Sequence, residues 1–219
     1  MNAEIRDIAI FTTLAALAAT AVMLVPGVAV AWLLARRQFP GKSLVETVVS
    51  LPLVMPPVAT GLLLLWLFSR RGPLGALLVR AGIEIVFTPA AVVIAMAVMG
   101  LPLLVRTARA GFEQVTRRYE QIAETLGAGP WRVFSTVTLP LAARNILAGA
   151  MLGFSRALGE FGATIVVAGS IPGRTRTLAV GIYTFTETGQ DQQAAVLLVI
   201  SVSIAFLAVL ASNRLARES

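Results

Sequence analysis

The chain has 219 residues, of which 57% are hydrophobic and 13% charged, with a formal net charge of +7 and a mean hydropathy of +0.84. Its charged fraction is about half of the ~25% found in soluble domains, and several apolar runs reach the ~18 residues typical of a membrane-spanning helix. Because Cys and His are absent, the composition excludes disulfides, thiolate or imidazole metal sites and His-based catalysis. We therefore predict an all-α integral membrane protein with no catalytic residue and no metal site.

The positive charge does not indicate nucleic-acid binding, because the basic residues lie beside the ends of apolar spans and not on one soluble module. No GxxxxGK[ST] motif is present, so any ATP hydrolysis would need a separate subunit. The N-terminal sequence MNAEIRD lacks the basic region of a signal peptide, and we expect the first apolar run to be retained.

Five apolar spans are expected within a single transmembrane domain, 1–219, each near the ~20 residues needed to cross ~30 Å of hydrocarbon. Pro26-Gly27 is expected to interrupt the first span, and three prolines at 52–57 argue against a straight helix in the second. That proline cluster fits either a packing kink or a broken segment lining a translocation path. The predicted spans are 8–34, 48–68, 87–105, 141–168 and 194–211.

The distribution of basic residues predicts the orientation. Eleven lie near the loops 35–47 and 106–140 and the C-terminal tail, against six on the other side, and positive residues favour the cytoplasm. We therefore expect the 106–140 loop and the C-terminus inside and the N-terminus outside. The eleven are Arg36, Arg37, Lys42, Arg106, Arg109, Arg117, Arg118, Arg132, Arg144, Arg214 and Arg217.

The 106–140 loop carries an amphipathic helical pattern between two apolar spans. Gly127 suits the left-handed position that ends a helix, and Pro130 suits the first turn of the next helix. The sequence therefore predicts a short helix, a sharp bend and a second helix that returns to the membrane. Apolar residues recur at i, i+3, i+4 and i+7 of the first helix: Tyr119, Ile122, Ala123 and Leu126.

The fourth span contains two opposite charges, Arg156 and Glu160, whose spacing places them on one face of a helix. A charge facing lipid costs about 2.5–3.5 kcal/mol on insertion scales, so neither is expected to face lipid. Two compatible interpretations remain: an ion pair that stabilises the helix bundle, and a gate or pore lining at a subunit interface. The candidate pore or gate residues are Arg156, Glu160, Phe161, Gly162 and Thr164.

The 120–140 segment resembles the EAA loop of ABC-importer permeases. That signature is EAA, three residues, Gly, nine residues, an aliphatic residue, any residue, then Leu-Pro. Gln121 and Ile122 depart from it, and Glu120 stands one residue before the signature Glu. The positions on the spacing are Ala123, Gly127, Val137, Leu139 and Pro140. The resemblance implies that an ATPase subunit is contacted through Glu120, Gln121, Ala123, Gly127, Leu139 and Pro140.

Three further segments, FPGKSLVETVVSLPLVMPPVATG, RALGEFGAT and IPGRTRTLAVGIYT, resemble the permease subunits of molybdate ABC importers; sulfate permeases share a related GEFGA segment. This resemblance implies a type I ABC importer permease in the inner membrane that carries molybdate or tungstate. It also implies a homodimer, two ATPase subunits that hold ATP and Mg, a periplasmic oxyanion-binding protein and no cofactor on this chain. A sulfate-type permease, a stand-alone secondary carrier and a membrane-embedded enzyme are the alternatives.

Overall fold

The computed structural model describes the backbone of residues 3–217 and the side chains of residues 3–210. Arg214 and Arg217, two of the basic residues used to orient the chain, lie outside the described side chains. In the described part the regular structure is helical, without strands. The helices are α1 (Ala3–Arg36), α2 (Lys42–Val54), α3 (Pro57–Phe68), α4 (Gly75–Arg80), α5 (Pro89–Gln114), α6 (Arg117–Thr125), α7 (Pro130–Val133), α8 (Leu139–Leu158), α9 (Gly162–Ala168), α10 (Leu178–Glu187) and α11 (Asp191–Arg217), with a π-helical turn (Phe134–Thr138) between α7 and α8.

Within the described residues, four stretches of helix are long and apolar enough to cross a membrane, and α2 with α3 forms a fifth span if the bent pair is counted as one. This confirms the all-α membrane fold with about five spans. The four are Ala3–Arg36, Pro89–Gln114, Pro130–Leu158 and Asp191–Leu210. The third of these includes α7, the π-helical turn and α8, so the helix that enters the membrane begins at Pro130.

The first span is a single helix, and the expected interruption at Pro26-Gly27 is wrong. Pro26 lies on the exposed side of α1, while Gly27 is buried against α5. A Cβ on Gly27 would lie 2.6 Å from Leu104 Cδ2, so the glycine permits close approach of two helices. α5 is in turn the centre of the bundle, since it packs against both α1 and α8.

The second span is broken where the prolines predict. α2 ends at Val54, α3 begins at Pro57, and their axes differ by 115°. Pro57 occupies the first helical position of α3, where the missing N–H is tolerated. The chain therefore turns sharply at Met55-Pro56 instead of bending gently.

The fourth span is not the single helix predicted over 141–168. α8 ends at Leu158 and α9 begins at Gly162, because the Glu160 carboxylate accepts a hydrogen bond from the backbone N–H of Ala163 at 2.7 Å. A side chain that binds the backbone in this way replaces the helical hydrogen bond. Glu160 therefore lies beyond the end of α8, and the expectation that it shares one face of a continuous helix with Arg156 is wrong.

Two short helices, α4 and α10, were not predicted, because each apolar run is too short to span a membrane. α10 begins at Thr177, whose hydroxyl accepts a hydrogen bond from the N–H of Val180. Its first residue, Leu178, donates its backbone N–H to Thr12 Oγ1 of α1 at 2.8 Å. This contact fixes α10 against the N-terminal half of α1.

Candidate functional site

The apolar face predicted for the 106–140 loop belongs to α6 and faces solvent. Tyr119, Ile122 and Leu126 are 55%, 47% and 82% exposed, and no residue of α6 is buried. Ala123, the fourth member of the pattern, is half-buried. A nine-residue helix with an amphipathic pattern and an uncovered apolar face is a surface suited to a groove on another protein.

The end of α6 has the geometry of a Schellman motif. Gly127 has the left-handed conformation expected for it, with φ of 85°. Its N–H bonds the carbonyl of Glu124, and the N–H of Ala128 bonds the carbonyl of Ala123. These two bonds satisfy the last carbonyls of the helix and define the direction in which the chain leaves it.

Glu120 points from α6 back toward the helix bundle. Its Oε1 lies 3.0 Å from Nη2 of Arg36, at the end of α1, and accepts a hydrogen bond of 2.6 Å from Thr138 Oγ1 in the π-helical turn. The same Arg36 nitrogen donates to the carbonyl of Val115 at 2.8 Å. Because the side chains of Arg36 and Glu120 are only 10% and 17% exposed, this pair connects α6 to two membrane spans in a partly desolvated setting.

Other positions of the EAA-loop signature lie on both sides of the Arg36–Glu120 pair. Gln121 and Pro140 are exposed, and Leu139 is half-buried beside the cluster around Phe112. Leu139 and Pro140 form the first turn of α8, where proline at the second position costs no helical hydrogen bond. The structure therefore brings Glu120 and Leu139 toward the body of the bundle, whereas Gln121 is exposed at the rim of a polar cavity beside Glu120.

The second candidate region is the break in the fourth span. Arg156 Nη1 lies 2.7 Å from Glu160 Oε2, and the two side chains are 28% and 1% exposed. Glu160 thus uses one oxygen for the arginine and the other for the N–H of Ala163. A buried carboxylate with both oxygens paired in this way remains compatible with the membrane interior.

The two broken spans meet at their breaks. A Cβ on Gly162, the first residue of α9, would lie 2.7 Å from Pro57 Cβ, and one on Gly61 of α3 would lie 2.9 Å from the Cα of Ala163. Glycine at both places lets α3 and α9 pack with their backbones in near contact. The Met55-Pro56 turn and the Glu160-Phe161 turn are therefore neighbours, although about a hundred residues separate them in the chain.

Two more predicted residues flank this contact. Phe161 packs against Tyr183 of α10, with ring centroids 5.1 Å apart. Thr164 is fully buried, and its hydroxyl has no hydrogen-bond partner among the described residues; the hydroxyl of Thr60 in α3 shares this property. Buried hydroxyls without partners are uncommon and mark this helix contact as a place to look for function.

Arg36, Thr138 and Thr60 were not singled out as site residues from the sequence. Arg36 and Glu120 are 84 positions apart, so no local spacing relates them. The available signal was weak: a partly buried arginine at the end of an apolar span and a carboxylate on an otherwise solvated helix require partners.

A family described as the inner membrane component of binding-protein-dependent transport systems matches residues 27–217. The molybdenum transport system permease protein ModB of Escherichia coli K12 is 49% identical over 195 residues, which cover 88% of this chain and 85% of that protein. ModB of Haemophilus influenzae is 44% identical, covering 86% and 83%. A probable sulfate transport system permease protein, cysT, of Marchantia polymorpha is more distant at 34% identity, covering 94% and 71%.

Solved structures agree on the fold. The inward-facing MetNI methionine ABC transporter has a chain that matches with a TM-score of 0.68 at 16% identity, covering 98% of this chain and 93% of that one. A chain of an amino acid ABC transporter matches with a TM-score of 0.67 at 17% identity, covering 99% and 94%. These matches confirm the type I ABC importer fold, and the relatives confirm the resemblance to molybdate permeases. The chain therefore belongs to the family of inner membrane components of binding-protein-dependent transport systems.

Proposed function

We propose that this chain is the membrane-spanning subunit of an ATP-driven importer for molybdate or tungstate. It acts as a homodimer, with two ATPase subunits on the cytoplasmic side and a periplasmic oxyanion-binding protein on the other. The observation that carries the proposal is the exposed apolar face of α6, held to α1 and the π-helical turn by the Arg36–Glu120 pair. A membrane protein that worked alone would have no use for this surface.

Movement of the ATPase is coupled to the membrane spans because α6 is held rigidly. The ATPase groove receives Tyr119, Ile122 and Leu126, and movement of the ATPase subunits displaces α6. Because the Schellman motif and the Arg36–Glu120 pair restrict α6, that displacement passes to α1 and to the helix that starts at Pro130. A flexible loop in the same position would absorb the motion.

The path for the oxyanion is proposed to run beside the contact of the two broken spans. Arg156, Glu160, Phe161, Gly162 and Thr164 form its gate. Since Arg156 neutralises Glu160, the carboxylate adds no net repulsion to an anion, while the partly exposed guanidinium can face the path. The pair then serves as a gate or structural element, and cargo recognition resides in the binding protein.

Orientation and chemistry complete the proposal. The N-terminus is outside and the C-terminus inside, which puts the 106–140 loop in the cytoplasm, in agreement with the positive-inside bias. The chain is a transport subunit and binds no cofactor; ATP and Mg are held by the ATPase subunits. Molybdate is favoured over sulfate because the molybdenum permeases are the more similar relatives, at 49% against 34% identity.

Uptake of labelled molybdate into proteoliposomes tests this function. The vesicles hold the permease, its ATPase and its binding protein, with excess unlabelled sulfate as the competitor. We expect uptake that requires ATP and is insensitive to sulfate. Uptake abolished by sulfate would assign the chain to the sulfate group and leave the coupling step intact, whereas uptake without ATP would identify a stand-alone carrier and overturn the coupling step.

A further inference from the structure

Next to the Arg36–Glu120 pair lies an apolar groove that the transport function does not use. It measures about 340 Å³ and is lined by Ala29, Trp32, Arg37, Pro130, Trp131 and Phe134. Phe134 is the floor, with its ring 5.6 Å from that of Trp32 and 5.7 Å from that of Trp131, centroid to centroid. Trp131 is 77% exposed, so the groove has one open aromatic wall.

The walls of this groove define its depth in the membrane. Trp32 lies in the last two turns of α1, and Trp131 lies in the first turn of the span Pro130–Leu158. Both spans enter or leave the hydrocarbon here, so the groove opens at the membrane–water boundary. Tryptophan is enriched at that level because its ring is apolar and its N–H is polar.

A polar cavity of about 310 Å³ adjoins the groove and shares Trp32, Arg37, Pro130 and Phe134 with it. Its other lining residues include Arg117, Gln121, Glu124 and the Arg36–Glu120 pair. Arg36 is neutralised by Glu120, so the two remaining arginines face one free carboxylate, which leaves a net charge of +1. Arg37 lies 6.0 Å from the centroid of the Trp32 ring and has no carboxylate partner in the described part of the chain.

We infer that the groove and cavity together bind one anionic phospholipid. Its acyl chain lies along Trp131 and Phe134, and its headgroup phosphate is held by Arg37 and Arg117. A site with an apolar half open to lipid and a cationic half open to water matches an amphiphile with a negative headgroup. It fits a free ion less well, because an ion would leave the aromatic half unused.

The occupant is a lipid and not the ATPase. The cavity adjoins only the polar side of α6, and no residue of α6 lines the groove. Tyr119, Ile122 and Leu126 are absent from its lining, as they are from that of the cavity. A lipid bound here touches Pro130 and Phe134, beside Thr138, the residue that anchors Glu120. The lipid therefore contacts the segment that holds α6 in place. We expect membrane composition to affect how movement of the ATPase is coupled to transport.

Fluorine NMR of the assembled transporter tests this inference. The permease is produced with 5-fluorotryptophan and combined with unlabelled ATPase subunits in nanodiscs, so that its three tryptophans give the signals: Trp32, Trp66 and Trp131. Phosphatidylglycerol or phosphatidylcholine with a nitroxide on the acyl chain is then titrated in. Trp66, 65% exposed at the other end of the bundle, is the internal control.

We expect the Trp131 signal to broaden at about fivefold lower mole fraction of labelled phosphatidylglycerol than of labelled phosphatidylcholine, the factor for one net charge near an anionic surface. Trp66 should respond equally to both lipids. Arg37→Gln should remove the preference, while Arg71→Gln, the same change on the exposed loop at the other end, should preserve it.

Equal broadening of Trp131 by both lipids would overturn the inference. So would a preference that survives Arg37→Gln, or a Trp131 signal that neither lipid reaches, since the groove would then be covered by protein. Millimolar inorganic phosphate that abolishes the preference would identify an ion site instead. None of these outcomes bears on molybdate uptake, so this inference and the proposed function fail separately.

Discussion

Among the arginine–glutamate pairs of the described residues, two use the same chemistry in opposite ways. Arg36–Glu120 joins residues 84 positions apart and connects an exposed helix to the membrane bundle. Arg156–Glu160 joins neighbours four apart and closes a break within one span. Glu120 remains 17% exposed, whereas Glu160 is 1% exposed. The burial of the carboxylate, more than the separation of the two partners along the chain, distinguishes a pair that can rearrange from one that cannot.

This difference in burial indicates which of the two regions can change conformation at a small cost in free energy. A buried charge without its partner is strongly destabilising, so the Arg156–Glu160 region should tolerate few arrangements. Neither member of the Arg36–Glu120 pair is as buried as Glu160, so water can reach either side chain and the loss of one partner should cost less there. We therefore expect substitutions at the break to act on stability first and substitutions at α6 to act on coupling first.

The largest effect is expected from Glu160→Ala. It leaves Arg156, which is 28% exposed, without its carboxylate and the N–H of Ala163 without its acceptor, two losses of about 1–3 kcal/mol each. The free energy of unfolding, measured as SDS is added to mixed micelles, should fall accordingly. Arg156→Ala combined with Glu160→Ala should restore part of the loss. A single variant as stable as the wild type would show that the two pairs do not differ in this way.

Gly162→Val tests the same break in the fourth span without removing a charge. Its Cβ would lie 2.7 Å from Pro57 Cβ, and overpacking of this kind costs about 1–3 kcal/mol. Gly159→Val is the matched control, because a Cβ there meets nothing within 4 Å. The same unfolding assay should separate the two variants. Equal stability would mean that α3 and α9 are not in close contact.

Glu120→Ala tests the exposed pair. We expect a loss of about 1–3 kcal/mol in stability, since the ion pair with Arg36 and the hydrogen bond from Thr138 are both removed, and a larger proportional loss of ATP-dependent molybdate uptake. Glu124→Ala, on the same helix and exposed, is the control and should retain both. Uptake that fell only in step with the amount of folded protein would remove the distinction between stability and coupling.

The smallest effect on stability is expected from Gly127→Asp. A left-handed conformation costs a non-glycine residue about 1 kcal/mol, so the protein should insert and fold while uptake per ATP hydrolysed declines. Gly129→Asp adds the same charge two residues away at φ of −70°, where no such cost arises. If both variants lose coupling equally, charge at the contact is responsible; if Gly127→Asp transports normally, α6 need not be rigid.

Local signals in the sequence were sufficient for the number of spans, the bend at the three prolines and the end of α6 at Gly127. Each of these depends on residues within a few positions of one another: apolar run length, proline ring geometry and the freedom of glycine at positive φ. The ABC-importer resemblance rested on the same kind of evidence, fixed spacing within short segments.

Tertiary structure decided what required partners from distant parts of the chain. Continuity of α1 through Pro26 depends on the exposed position of that proline, which no local pattern supplies. Arg36 as the partner of Glu120, and the contact of Gly162 with Pro57, likewise arise only once the spans are packed. Even the break at Glu160 depended on burial, because a carboxylate in that setting binds the nearest backbone N–H, whereas on a solvated helix it would face water.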